Sequence, residues 1–295
     1  MLGVMTLALG AVELGLIYAI MSMGVFVSFR ILDIPDLTID GSFILGCAVS
    51  AILTYHGHPI LGIVLSILAG ALAGMVTGFL QTKLKVQVIL AGILTMTALY
   101  SINLHVMGNK PNVTLLNVDT IFTFLEDKLP QNSYRLPVIT VILLLVCSIL
   151  FWFLKTQIGM SLRATGDNED MVRASSINSE AMKIMGLAIA NAFVALSGAV
   201  LAQYQSFSDA NGGTGTMVIG LASVIVGEAI FGRRSMLMCF ISVVLGSVLY
   251  RALLTIALQI GLPSSDLKLL SAILVIIAIS VPVVKNALSR LATRR

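Results

Sequence analysis

The side chains best suited to chemistry are three carboxylates grouped between two apolar runs. Asp33, Asp36 and Asp40 lie close to Pro35 in the sequence. Proline lacks a backbone N–H and aspartate favours helix caps and turns, so a continuous helix is not expected here. Two interpretations remain open for residues 30–41. They form either an ordinary solvated loop or a discontinuous segment at membrane depth, which is tolerated only where protein or water surrounds the backbone.

Other polar side chains interrupt the long apolar runs. Charged groups in such runs are costly and usually face the interior of a helical bundle. Amides there usually form hydrogen bonds between helices, and the alternative is that they line a permeation path. The candidate residues for a translocation path are Asp36, Asp40, Glu13, Asn103, Asn191 and Gln203.

The sequence shows no pattern typical of an enzyme. The phosphate-binding pattern G-x-x-x-x-G-K-[ST] does not occur. The cysteines lie in apolar runs without metal or disulfide spacing, and His56 and His58 flank a glycine in a turn. Glu228 lies close before Arg233 and Arg234, which predicts a structural ion pair. We expect no catalytic residue, no metal site and no cofactor bound by this chain.

The composition is that of an integral membrane protein. Hydrophobic residues make up 58% of the chain and charged residues only 11%, whereas soluble domains are about a quarter charged. The apolar runs are continuous rather than alternating, which favours helices of about 20 residues over a lipid-facing barrel. We predict an all-α polytopic bundle of about 8–10 spans, in one domain over residues 1–295. The candidate spans are 11–29, 40–55, 60–81, 87–106, 137–154, 183–206, 217–232, 236–260 and 267–285.

The distribution of basic residues predicts the orientation. Most of them fall in loops on one side of the predicted spans, and the positive-inside rule makes that side cytoplasmic. Residues 107–136 then form an external loop and residues 155–182 a cytoplasmic loop. The net charge of +4 follows from this bias and does not indicate nucleic-acid binding.

Small residues recur at four-residue spacing in the third span, at Gly70, Gly74 and Gly78. This spacing lets helix backbones approach closely. We expect a tight contact, within the subunit in the favoured interpretation and across a dimer in the other.

The sequence of the cytoplasmic loop 155–182 predicts a short amphipathic helix within it. Gly166 is expected to break the chain, and Asp167 or Asn168 to cap the new helix. The acidic residues of its first turn lie near the positive end of the helix dipole. Met171, Val172 and Ala174 supply an apolar face. The helix therefore consists of Asn168, Glu169, Asp170, Met171, Val172, Arg173 and Ala174.

Three stretches of the sequence resemble one known family. The run RATGDNEDMVRASSIN at 163–178 resembles the cytoplasmic coupling helix of ABC importer permeases of the branched-chain amino-acid and ribose type, with Ser176 in place of a usual glycine. The run DLTIDGS at 36–42 resembles a stretch found in the sugar branch of this family. Residues 220–232 resemble a family segment that ends in a Gly-Gly turn, with Glu228 in place of a glycine. The resemblance extends over about residues 12–285 and is closest to a branch linked to tryptophan- and tyrosine-type binding proteins.

The resemblance implies a permease subunit in the cell membrane, working with cytoplasmic ATPase subunits, an external substrate-binding protein and a second permease copy. ATP and Mg would bind the ATPase, and the predicted short helix would contact it. The substrate would be an aromatic or branched-chain amino acid or another small polar solute. The alternative from another class is a secondary transporter driven by an ion gradient, with Asp36, Asp40 and Glu13 as proton or sodium sites.

Overall fold

The computed structural model describes residues 2–123, 135–263, 266–267, 269–277 and 280. Within them the chain is a helical bundle, which confirms the predicted polytopic all-α fold. The helices are α1 (Leu2–Val25), α2 (Thr38–Tyr55), α3 (Pro59–Thr82), α4 (Val88–Val106), α5 (Arg135–Lys155), α6 (Gln157–Asp167), α7 (Glu169–Ala174), α8 (Ser179–Gln205), α9 (Thr216–Phe231) and α10 (Met236–Gln259).

Seven helical segments in this part of the chain are long and apolar enough to cross a membrane. The segment at 217–232, predicted as a span, is the 16-residue helix α9, which is about 24 Å long and shorter than the roughly 30 Å hydrocarbon core. The predicted span 267–285 lies partly outside the described residues, which are helical at 269–277.

Helix α8 is the centre of the bundle, and α3 packs closely along it. An added Cβ at Gly74 would overlap the carbonyl oxygen of Leu187, and one at Gly70 would overlap that of Asn191. A larger side chain at either position would therefore push α3 away from α8. The glycine stripe makes its contact within the subunit, as the favoured interpretation predicted.

Two irregular segments interrupt the bundle. Helix α1 passes into a π-helical turn (Phe26–Ile31), and residues 32–37 then form a non-helical segment before α2. On the opposite side, β2 (Phe207–Asp209) follows α8 and pairs antiparallel with β1 (Asn112–Thr114). Helix α9 then begins at two buried residues, Thr216 and Met217.

The cytoplasmic loop contains two helices where the sequence predicted one. The Thr156 side chain caps α6 by accepting a hydrogen bond from the Gly159 amide at 3.2 Å. Gly166 does not break the chain, because it lies inside α6. Its missing side chain is needed for packing, since a Cβ there would overlap the carbonyl oxygen of Ile31.

The predicted ion pair of Glu228 is present with a different set of partners. Its carboxylate lies 3.2 Å from Arg30 Nε and 3.6 Å from Arg233 Nη1. Arg30 comes from the end of the π-helical turn, so the pair joins that turn to the end of α9. Arg234, which the sequence also suggested, is not an ion-pair partner of Glu228.

Candidate functional site

Asp36 lies in the irregular segment after α1 and is buried, with 1% of its surface exposed. Its Oδ1 accepts a hydrogen bond from the Thr38 amide at 2.9 Å, and its Oδ2 accepts one from Asn191 Nδ2 at 2.7 Å. Asp33 and Pro35 are exposed. The segment left open by the sequence is therefore neither a uniformly solvated loop nor uniformly buried.

The partner of Asp36 shows how deep this site lies. Asn191 is 12 residues from Ser179, the first residue of α8, which corresponds to about 18 Å along the helix. The helix has 27 residues, so the Asp36–Asn191 pair lies close to the middle of α8. The Asn191 Nδ2 also donates to the Leu187 carbonyl at 2.9 Å, and its Oδ1 has no hydrogen-bond partner among the described residues.

Asp40 caps a helix from another part of the chain. Its Oδ2 accepts from the Gly215 amide at 2.9 Å, and its Oδ1 accepts from the Met217 amide at 2.7 Å and from Thr216 Oγ1 at 2.9 Å. Gly215 has a φ of +91° and supplies no side-chain cap to α9. The Asp40 carboxylate thus satisfies amides at the positive end of the α9 dipole.

A cavity of about 300 Å³ lies beside Asp40, between α2, α4 and the chain leading into α9. Asn103 lines it with 1% of its surface exposed and donates from Nδ2 to the Gly41 carbonyl at 3.2 Å. Its Oδ1 has no hydrogen-bond partner in the described part of the chain. Met96 and Tyr100 supply apolar surface on the α4 wall. The lining of the cavity therefore combines polar side chains with apolar surface.

Glu13 and Gln203 do not join this cavity. The Glu13 carboxylate accepts a hydrogen bond from Tyr204 Oη at 2.8 Å. Gln203 Nε2 donates to Ser50 Oγ at 2.9 Å, and its Oε1 accepts from the Ile121 amide at 3.0 Å. These bonds engage both ends of the Gln203 amide and favour a role in fixing the outer end of α8.

Asn168 caps the short helix α7, as the sequence predicted, and accepts a hydrogen bond from the Met171 amide at 3.0 Å. The predicted apolar face is divided in the structure. Val172 is 1% exposed and faces inward, whereas Met171 is 55% exposed and Ala174 is also exposed. Successive residues point about 100° apart on a helix, which is why Met171 and Val172 do not share a face.

Glu169 anchors α7 to α8. Its carboxylate lies 2.5 Å from Lys183 Nζ and 2.8 Å from Arg173 Nη2, and Ser179 Oγ donates to it at 3.1 Å. The hydrogen bond from Lys183 is the largest cause that holds the pKa of Glu169 below its ordinary value. This charged anchor leaves Asp170, Met171 and Ala174 facing outward.

Helix α6 connects the same loop to the buried carboxylate. Its Gly166 touches Ile31, the last residue of the π-helical turn, five residues before Asp36. Neither α6 nor this contact was predicted from the sequence. The Thr156 cap was a readable signal for the helix, but the approach of Gly166 to Ile31 depends on tertiary packing.

Comparison with known proteins decides the family. Residues 7–280 match the family described as branched-chain amino acid transport system / permease component. The chain belongs to this permease family. It is therefore a multi-pass inner-membrane protein and an ABC importer permease, which disfavours the secondary-transporter alternative. The family implies ATPase and substrate-binding partners, and its members are non-enzymatic membrane components.

Three relatives illustrate the range of the family. The permease is 39% identical to a tyrosine transport system permease protein of Clostridioides difficile over 88% of this chain and 86% of that one. It is 32% identical to an uncharacterized protein of Rickettsia prowazekii over 94% and 98% of the two chains. It is 29% identical to a ribose import permease protein of Haemophilus influenzae over 65% and 59%. No solved structure matches.

Within the described residues, no group of three metal-ligating side chains could hold a metal ion. Four of the predicted path residues fall into two groups instead: Asp36 is hydrogen-bonded to Asn191, and Asp40 and Asn103 line one cavity. The permease thus has polar groups at depth and an outward-facing α7 surface on its cytoplasmic loop.

Proposed function

We propose that this permease forms the translocation path for an amino acid, with an aromatic amino acid as the first candidate. The observation that carries the proposal is the cavity beside Asp40, because it is lined by Asn103, whose buried Oδ1 has no hydrogen-bond partner in the described part of the chain. An amide oxygen and a nearby carboxylate suit the ammonium group of an amino acid. Met96 and Tyr100 offer apolar contact for its side chain. The similarity to a tyrosine permease supports this choice over a branched-chain amino acid or another small polar solute.

The test is ATP-dependent uptake by the whole importer in proteoliposomes, with tyrosine, leucine and ribose as substrates. Asn103→Leu removes the unpaired acceptor, and we expect tyrosine uptake to fall at least about tenfold, because a lost hydrogen bond to a charged group is worth about 1.5–3 kcal/mol. Thr97→Val is the matched control. Thr97 lines the same cavity, but its hydroxyl donates to the Ile93 carbonyl at 2.8 Å within its own helix. Equal losses in the two variants would contradict the proposed role of Asn103.

The same proposal assigns the cytoplasmic loop 155–182 to ATPase docking. The exposed residues Asp170, Met171 and Ala174 form the contact surface, and Glu169 holds that surface on α8. Movement of α6 would reach the Asp36 segment through the Gly166–Ile31 contact. In this assignment ATP and Mg bind the ATPase, which hydrolyses the ATP, and this chain binds no cofactor.

Docking is tested by Met171→Asp, which places a charge on the proposed contact surface. We expect ATP hydrolysis by the whole importer to lose its stimulation by loaded binding protein. The matched control is Leu84→Asp, because Leu84 is 59% exposed in another cytoplasmic turn. Unchanged stimulation in the Met171 variant would refute the docking assignment.

We further propose that two copies of this permease assemble around the path, since the sequence shows no internal duplication that would supply both halves. Mass photometry of the purified importer should give a mass with two permease copies. A complex containing one copy beside a different permease would overturn this assembly.

A further inference from the structure

A second cavity, larger than the one beside Asp40 and separate from it, opens on the inner side of the bundle. Its volume is about 580 Å³, and it lies between the end of the π-helical turn, α6 and the turn before α10. Four guanidinium groups line it, together with two carboxylates. These residues are Arg30, Arg163, Arg233, Arg234, Asp33 and Asp167.

The cavity keeps a net positive charge. Glu228 pairs with Arg30 and Arg233 at its edge, so the four guanidiniums face three carboxylates. Arg163 and Arg234 are exposed and have no ion-pair partner in the described part of the chain. Unpaired guanidinium groups with their fork of N–H donors are suited to a phosphate oxygen pair.

An apolar groove of about 400 Å³ lies next to this cavity, between α5 and α10. Phe240 lines the groove and connects it to the cavity. Its ring packs on Phe26 of the cavity, with centroids 5.8 Å apart, and on Phe151 of the groove at 6.2 Å. The groove extends from Leu237 to Leu245, which is eight residues or about 12 Å along α10.

The inner end of the groove lies at the expected level of lipid headgroups. Trp152 is 75% exposed there, next to Phe151 in sequence. Lys155 Nζ lies 4.3 Å from the Phe151 ring centroid. Exposed tryptophan and lysine side chains near the end of a spanning helix are typical of the membrane interface. The positive cavity therefore meets the groove where a phosphate and an acyl chain of one lipid would be joined.

We propose that the cavity and groove together bind an anionic phospholipid of the inner leaflet. Its phosphate contacts Arg163 and Arg234, and one acyl chain lies along α10 from Leu237 to Leu245. Basic pockets between helices on the cytoplasmic side are known to take such headgroups. A soluble phosphate would leave the groove unused, and a second permease copy would cover the groove without bringing an anion to the arginines.

The chain's single tryptophan makes the test direct, because Trp152 is exposed and directly follows Phe151, which lines the groove. The full chain is reconstituted in vesicles that contain dibrominated phosphatidylglycerol or dibrominated phosphatidylcholine, and quenching of Trp152 fluorescence reports which lipid occupies the groove. We expect the anionic lipid to bind about fivefold more tightly, or better. Arg163→Gln or Arg234→Gln should remove about a fivefold preference, and Arg234→Lys should retain most of it.

The matched control is Lys85→Gln, which removes one positive charge from an exposed position on the same side, outside the cavity. It should leave the preference unchanged, and an equal loss would mean that general surface charge is responsible. Equal quenching by both lipids in the unaltered chain would overturn the proposal. Absence of quenching by either lipid would mean that another chain covers the groove. Loss of the preference on adding inorganic phosphate at constant ionic strength would assign the cavity to a soluble anion.

Discussion

Asp40→Asn is the most informative single change in the permease, because one carboxylate from α2 supplies the cap that α9 lacks. Asp40 accepts two backbone N–H groups, from Gly215 and Met217, on its two different oxygens. Asparagine has the same shape but only one oxygen. In either orientation of the amide, an NH₂ group would face a backbone N–H at the start of α9.

The expected cost follows from these contacts. Losing one charge-assisted hydrogen bond costs about 1.5–3 kcal/mol, and losing the charge at the helix dipole costs about 0.3–1 kcal/mol more. The total is about 2–4 kcal/mol. Asp119→Asn is the control, because Asp119 is an exposed carboxylate in the outer loop. An exposed charge contributes only about 0–1 kcal/mol.

Thermal unfolding of the purified importer and ATP-driven uptake measure the two consequences. A loss of about 3 kcal/mol should lower Tm by roughly 6–12 °C for a chain of this size, whereas the Asp119 variant should shift by no more than about 4 °C. Uptake should fall in the Asp40 variant alone, because α9 begins beside the candidate cavity. Equal Tm shifts in the two variants would refute the capping argument.

Three further changes test the cytoplasmic loop. Gly166→Ala should separate ATP hydrolysis from uptake, because its Cβ would overlap the Ile31 carbonyl and displace α6; unaltered coupling ratios would show that the contact is not needed. Val172→Asp should reduce the amount of folded protein in the membrane, because it buries an unpaired charge at a cost of several kcal/mol; normal yield would contradict the buried position of Val172. The pKa of Glu169 is lowered by Lys183, so its stabilising effect should be complete above its ordinary pKa and disappear as pH falls through the lower folded value. Glu169→Gln should therefore lower Tm at neutral pH and make little difference in strong acid, whereas a pH-independent effect would argue against the ion pair.

The sequence by itself determined the class of the protein and much of its local structure. Long charge-free runs can satisfy their backbone in lipid only as helices, so composition alone requires a helical membrane bundle. The Asn168 cap was readable because a cap depends on residues within one turn of each other. The spacing of Gly70, Gly74 and Gly78 likewise predicted close packing, since residues four apart share a helix face.

The tertiary structure decided which polar groups meet. Asp40 caps amides 175 and 177 residues away, and Asp36 binds Asn191 at a separation of 155 residues. No local pattern carries such a partner, because it depends on how α2, α8 and α9 cross. The inward position of Val172 and the approach of Gly166 to Ile31 have the same origin. Helix periodicity sets which residues share a face, but only the packing of neighbouring helices decides which face is buried.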